Sequence, residues 1–391
     1  MKVLMLSWEY PPHIVGGLGK HVYYLSKTLA FKNIDITVIT YTDGTSKSEE
    51  FINNVRVIRV NPYSLRYPDF ISWIYGMNLL MVEKALKLRN FDIIHAHDWL
   101  TALAGINIKY IMRKPLIATI HSTELGRRRG YLSNDYERHI HEIEWILTYE
   151  AWRIICCSDY MVSEVNKFFQ CPLNKIVRIY NGVDPNSLVP SSNVNRKNYA
   201  EDYEKIVLFV GRLVYEKGPH LLVEAANILK RNDIKFLFIG EGTMKPYLLE
   251  LGKKLGISEK LYFLGHVPDD VLYAIYKMAS VAVFPSLYEP FGIVALEAMA
   301  LGTPVIVSAV GGLNEIVINE YNGIKVTPGS AYELAKAIEK IIDNPSLSKR
   351  LIENAKNFVK NFTWEKAAEE TIKLYEEVMI EYNAGNWKTR V

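Results

Sequence analysis

Short apolar runs alternate along the whole chain with longer segments whose apolar positions recur at helical spacing. In the first half, runs at residues 3–6, 36–39, 55–60, 93–95, 116–119, 154–157 and 176–179 read as strands. They are continuous rather than alternating, as expected for strands of a parallel sheet covered on both faces. Between them lie helical patterns, for example over 18–30 and 101–112. Residues 185–204 break the rhythm: they are polar, rich in Ser and Asn, and without period, which predicts a linker or exposed insertion. A second alternation follows, with strands predicted at 206–210, 235–239, 261–264, 281–284, 304–307 and 323–326. Its helices are expected near 221–230, 244–255, 272–279, 294–301 and 332–342, and a last amphipathic segment spans 365–382. Strand and helix in regular succession predict an α/β architecture of two Rossmann-like parallel-sheet domains facing a central cleft. Ligands of such sheets bind beyond the carboxyl ends of the strands.

Composition narrows the class. At 391 residues the chain exceeds one hydrophobic core, so two domains are expected. The 46 Lys and Arg against 43 Asp and Glu leave a net charge of only +3, which argues against a dedicated nucleic-acid surface. The three cysteines, Cys156, Cys157 and Cys171, are too few for a disulfide framework or a four-cysteine zinc site. No signal peptide precedes the first strand and no apolar run reaches membrane-spanning length, so a cytoplasmic protein without a transmembrane segment is expected, peripheral membrane contact remaining open. Residues 69–88 mix aromatics with Leu, Met and Lys; a weakly basic polar face favours core packing over an interfacial helix.

The candidate chemistry sits where strands end. Pro285 to Ala300 runs from a buried strand through a loop carrying Glu289 into a helix opened by Gly292, with Glu297 inside that helix. A helix start offers free backbone N–H groups and a positive dipole end, which suit a diphosphate, while carboxylates accept hydrogen bonds from sugar hydroxyls. Gly211 to Gly218 follows the first strand of the second half, and its Arg212 and Lys217 can converge on one diphosphate as a fork and a point charge. Gly16-Gly17 opens the first helix after a long loop; the intervening residues count against the dinucleotide fingerprint, and the pair predicts close approach of backbone N–H groups to a ligand. Asp98 and His121 each close a strand of the first sheet, the places for an acid and an imidazole in the crevice. His95 and His97 share one strand face by alternation, but apart from Asp98 no Cys, His or acid at suitable spacing completes a metal set, so no metal site is expected. Arg127 to Arg129 reads equally as a functional cationic loop and as a solvated turn. No Asp-x-Asp occurs to hold a divalent cation, and no cofactor is expected beyond a nucleotide-sugar co-substrate.

Taken together, the Glu289-x7-Glu297 pattern with Gly302-Thr303-Pro304-Val305, the Arg212 and Lys217 loop, Gly16-Gly17 and Gly311-Gly312-Leu313 resemble the retaining glycosyltransferases of the GT-B fold, the group of glycosyltransferase family 4 and the glycogen and starch synthases. The resemblance spans nearly the whole chain. It implies an N-terminal acceptor-side domain at 1–184, a nucleotide-sugar domain at 185–364, and a C-terminal helix at 365–391 returning to the first domain. It implies that Arg212 and Lys217 bind the donor diphosphate, Glu289 the donor sugar, Glu297 the ribose, and that Asp98 and His121 line the sugar and acceptor side. The implied reaction is metal-independent hexosyl transfer with retention, glucose from ADP- or UDP-glucose being favoured and an α-glucan the first acceptor. His97-Asp98-Trp99 leans towards the synthases; Ile14-Val15 where they usually carry Lys, and Ser122-Thr123-Glu124 after His121 where they carry Asn, are departures. A family 4 transferase acting on a lipid, small sugar or protein glycan, and a nucleotide-sugar epimerase, stay open as alternatives.

Overall fold

The computed structural model describes residues 1–64, 66–88, 90–385 and 387. The chain forms two compact units, Met1–Gly182 with the segment from Trp364 onward, and Val183–Thr363.

The first unit carries β1 (Lys2–Leu6), β2 (Asp35–Tyr41), β3 (Glu49–Ile52), β4 (Val55–Val60), β5 (Ile93–His97), β6 (Leu116–Ile120), β7 (Arg153–Cys156) and β8 (Ile176–Arg178). They lie in the order β3-β4-β2-β1-β5-β6-β7-β8, parallel except for β3 against β4. Central strands are apolar along their length because helices cover both faces: Val3, Leu4, Met5 and Leu6 of β1 are all buried. The sheet edge was not visible in the sequence; Glu49–Ile52 has no apolar run and leaves Phe51 exposed.

The helix Gly17–Phe31 packs one face on this sheet and the other against the last helix, Trp364–Asn383. That last helix buries Trp364, Ala368, Thr371, Leu374, Tyr375 and Val378, a stripe at three- and four-residue spacing. The Trp364 ring stacks on Tyr24 at 5.6 Å, and Val22, Leu25 and Leu29 share a core with Tyr375 and Val378. The helix Phe70–Leu88 buries Trp73, Ile74, Met77 and Met81. Among the described residues no helix is long and apolar enough to cross a membrane.

In the second unit β9 (Lys205–Val210), β10 (Ile234–Ile239), β11 (Leu261–Gly265), β12 (Val281–Phe284), β13 (Val305–Ser308) and β14 (Ile324–Val326) form a parallel sheet ordered β11-β10-β9-β12-β13-β14. Strand order reverses between β9 and β12, the switch point at which open α/β sheets bind ligands. In the first unit the reversal falls between β1 and β5. The polar stretch read as a linker or exposed insertion is wound onto the second unit. Leu188 and Ala200 are buried, Ser191 N donates to Asp270 O, and Arg196 donates to the carbonyls of Met278 and Glu204. Side-chain hydrogen bonds and two apolar anchors, rather than an apolar period, hold it there, so periodicity could not show it.

Candidate active site

In the second unit the loops that leave β9 and β12 are joined at the switch point. The carbonyl of Glu216 accepts from Leu287 N at 2.8 Å and from Tyr288 N at 3.2 Å. Lys217 donates from Nζ to both carboxylate oxygens of Glu289, each at 2.8 Å, and Ser286 Oγ donates to Glu289 Oε2 at 3.0 Å. Glu289 is 7% exposed, and a buried charge is tolerated there because lysine and hydroxyl both address it. Arg212 lies more in the open, reaching Glu216 Oε1 at 3.2 Å. Gly312 N donates to Glu289 O at 2.9 Å, and a side chain at Gly312 would run into the backbone of Pro290 and Phe291. The helix Ile293–Leu301 starts at Gly292, and its first backbone N–H groups have no carbonyl one turn earlier to bond, as at every helix start. Glu297 is buried on that helix, near enough to Tyr276 for its charge to add to the burial that raises the phenol.

Gly218 is what lets the two loops approach. It sits at φ +66, and a Cβ there would fall 2.1 Å from the Pro285 carbonyl oxygen. Gly218→Ala is therefore expected to lower stability by more than the roughly 1–2 kcal/mol of the left-handed backbone alone, because the neighbour is backbone and cannot swing aside. A melting temperature unchanged from wild type would show that the loops part freely.

In the first unit Asp98 follows β5 with φ 57, a backbone conformation uncommon for a residue other than glycine. Its Oδ1 accepts from His121 N at 2.7 Å, tying the loop after β6 to that after β5. Burial pushes the Asp98 carboxyl up to about 7, against the lowering by the His121 amide and Arg127. Around it stands a group of histidines. His97 Nδ1 and His121 Nε2 are 3.2 Å apart, and the His21 ring lies 4.6 Å from that of His121. His21 Nδ1 meets Asn181 Oδ1 at 2.7 Å. Burial lowers His21 to about 4, and burial with neighbouring imidazoles holds His97 and His121 well below the ordinary histidine value, so all three are neutral at pH 7. His95 shares the strand face of His97, ring centroids 4.2 Å apart, but both of its nitrogens are taken, Nδ1 by Tyr375 Oη and Nε2 by Thr119 Oγ1, each at 2.7 Å. It is a core residue.

The structure thus brings Lys217 to Glu289 with Arg212 close by on the same loop, and Asp98 to His121. Glu9 Oε2 already accepts from Val15 N and Gly16 N at 2.9 Å and from Gly19 N at 3.2 Å, so a carboxylate occupies the N–H groups read as open to a ligand. With Gly16 spoken for, an anionic ligand at Gly16 and Gly17 would meet a like charge. Arg127 and Arg128 are paired too, both with Glu124 and Arg128 also with Glu137. Sequence reading missed Glu9, His21 and Asn181. For His21 a signal existed: four residues beyond Gly17, one turn into the helix, it stays near the strand ends where that helix begins.

Residues 15–187 match glycosyltransferase family 4, and residues 191–358 match the glycosyl transferases group 1 family. An uncharacterized glycosyltransferase of Methanocaldococcus jannaschii is 41% identical, the alignment covering 97% of this chain and 99% of that one. A glycogen synthase of Mycobacterium tuberculosis is 35% identical, over 96% of this chain and 94% of the other. Among solved structures, the sucrose-phosphate synthase of Thermosynechococcus elongatus superposes with a TM-score of 0.85 at 26% identity, covering 97% of this chain and 99% of that one. With these likenesses running through both sheets and through the loops that carry Lys217, Glu289, Asp98 and His121, the chain belongs to the family 4 glycosyltransferases of the GT-B fold and is a hexosyltransferase related to glycogen synthase.

Proposed function

We propose that the protein is a retaining, metal-independent glucosyltransferase that moves glucose from ADP- or UDP-glucose onto an α-glucan. The observation that carries this reading is the Lys217–Glu289 pair at the switch point of the second sheet. It sets a cation for a leaving diphosphate beside a carboxylate for sugar hydroxyls, on a scaffold that burial and Ser286 hold in place. The glycogen synthase likeness over nearly the whole of both chains supports the glucan acceptor.

The chemistry follows from charge. As the anomeric bond breaks, negative charge grows on the β-phosphate and positive charge on the sugar. Lys217, Arg212 and the N–H groups at Gly292 are preorganised donors for the first, where such groups contribute most. Glu289 accepts from donor hydroxyls and Glu297 from the ribose. Asp98 and His121 act on the sugar and the incoming acceptor. The acceptor hydroxyl attacks on the face the phosphate leaves, its proton passing to that phosphate, which retains the anomeric configuration.

Nucleotide release from ADP-glucose, UDP-glucose and other donors, measured against glycogen, glucose and lipid acceptors, tests the reading. Release should accelerate with glycogen and leave α-linked glucose on it. Interconversion of the donor sugar without an acceptor would make the protein an epimerase; incorporation into lipid or free sugar alone would move it to another branch of the family. Turnover should survive EDTA, because protein cations stand where an Asp-x-Asp metal would. Loss on chelation, restored by magnesium or manganese, would overturn that part.

A further inference from the structure

We propose that His21, His97 and His121 form a binding site for one zinc-class transition-metal ion. One ring nitrogen from each of the three lies within 4.8 Å of the others. His97 Nδ1 and His121 Nε2, 3.2 Å apart, already have the spacing of two nitrogens sharing a tetrahedral ion with bonds of about 2.0–2.1 Å. Bringing His21 fully into such a set needs a movement on the order of 1 Å at the end of its side chain.

Three further observations point to a ligand rather than to a packed aromatic cluster. First, Asn181 Oδ1 can only accept, so His21 Nδ1 carries the proton and Nε2 keeps the lone pair. That is the arrangement in which metal-ligating histidines are held: the far nitrogen donates to an oxygen and the near one binds. Secondly, His21 Nε2, the nitrogen left for the ion, is buried and meets no hydrogen-bond partner among the described residues, an unfavourable state for a polar atom that a ligand would relieve. Thirdly, His95, fixed by Tyr375 and Thr119, lies against the His97 ring and limits how it can turn. Three neutral imidazoles select zinc, cobalt, nickel or copper over magnesium or calcium, which want oxygen. Three protein ligands leave a fourth position open.

This site is separate in kind from the metal independence proposed above. It is not needed for transfer; an ion there takes the His121 nitrogen that the transfer reading assigns to sugar and acceptor, so zinc should slow the reaction. The inhibition rests on that reading, whereas the binding does not.

The full-length chain, stripped with chelator, is titrated with zinc against a chromophoric competitor and with cobalt(II) by visible absorption. One ion per chain is expected, with the absorption of a tetrahedral nitrogen site and without the thiolate charge-transfer band that Cys156, Cys157 or Cys171 would give. Binding should be lost in His21→Ala and in the milder His21→Gln, weakened about 10–100-fold in Asn181→Ala as for other ligand-orienting partners, and unchanged in His139→Ala. Circular dichroism establishes that each variant is folded. Absence of saturable binding to the wild type, a thiolate band, or wild-type affinity in both folded His21 variants would each overturn the site. With turnover established, zinc should reduce it at least tenfold in the wild type, reversibly with EDTA, and not in His21→Gln. Binding without inhibition would remove the inhibitory role and leave the site.

Discussion

Lys217→Ala should lower kcat by about 10²–10³, the cost of removing one preorganised donor from a developing oxyanion, while the protein stays folded. Two effects act together. The leaving phosphate loses a cation, and Glu289, which Lys217 holds by both oxygens, becomes a buried carboxylate without its cation, addressed by Ser286. The neighbouring cation separates them. Arg212→Ala removes positive charge from the same loop, yet Arg212 meets Glu216 on an exposed surface, where an ion pair adds little to stability. A fall in kcat for Arg212→Ala at unchanged melting temperature therefore isolates the electrostatic part. If Lys217→Ala and Glu289→Gln cost no more in combination than either alone, the pair acts as one unit. Near-normal turnover of both Lys217→Ala and Arg212→Ala at saturating donor would remove the diphosphate from this loop.

Tyr375→Ala should destabilise the first unit by about 3–5 kcal/mol, as for other large aromatic truncations in cores. The ring is fully buried between the last helix and the sheet, in edge contact with His95 at 5.8 Å, and its hydroxyl meets His95 Nδ1. Tyr375→Phe keeps the packing and leaves that nitrogen unsatisfied, with an expected loss of about 1–3 kcal/mol. Urea denaturation should show the shift in one of two transitions, since two units need not unfold together. A loss of under 1 kcal/mol for Tyr375→Ala would mean that the last helix contributes little to this core.

The strands were legible because burial on both faces writes itself as unbroken apolar runs: Val55–Val60 and Val281–Phe284 coincide with the reading to the residue. Where burial is partial the signal fades. Glu49–Ile52 pairs along one edge only, and the helix Pro345–Phe358 shows three buried residues in fourteen, so neither stood out. At the site, residue types were legible while pairings were not. Lys217 and Glu289 were each read as ligand-binding groups, but their bond spans 72 positions and depends on two loops meeting at a reversal of strand order. Glu9 illustrates the opposite case. It lies only seven residues before Gly16, yet nothing in composition or period announces that an acid will fold back onto a helix start. His21 belongs to no one-strand pattern, because topology gathers its neighbours His97 and His121 from the ends of other elements.

The first unit is discontinuous, and this sets a timetable for the nascent chain. Its sheet and its first helix emerge before the second unit, but Trp364, Tyr375 and Val378, which close the same core, are made only after it. All of Val183–Thr363 is synthesised in between, an interval on the order of 10–40 s at about 5–20 residues per second. Throughout that time Val22, Leu25 and Leu29 lack the helix that covers them. The second unit, contiguous in sequence, can fold completely while the first still waits. The order of completion on the ribosome is then the reverse of the order of synthesis, and the core-facing flank of the Gly17–Phe31 helix stays uncovered until the last helix is made.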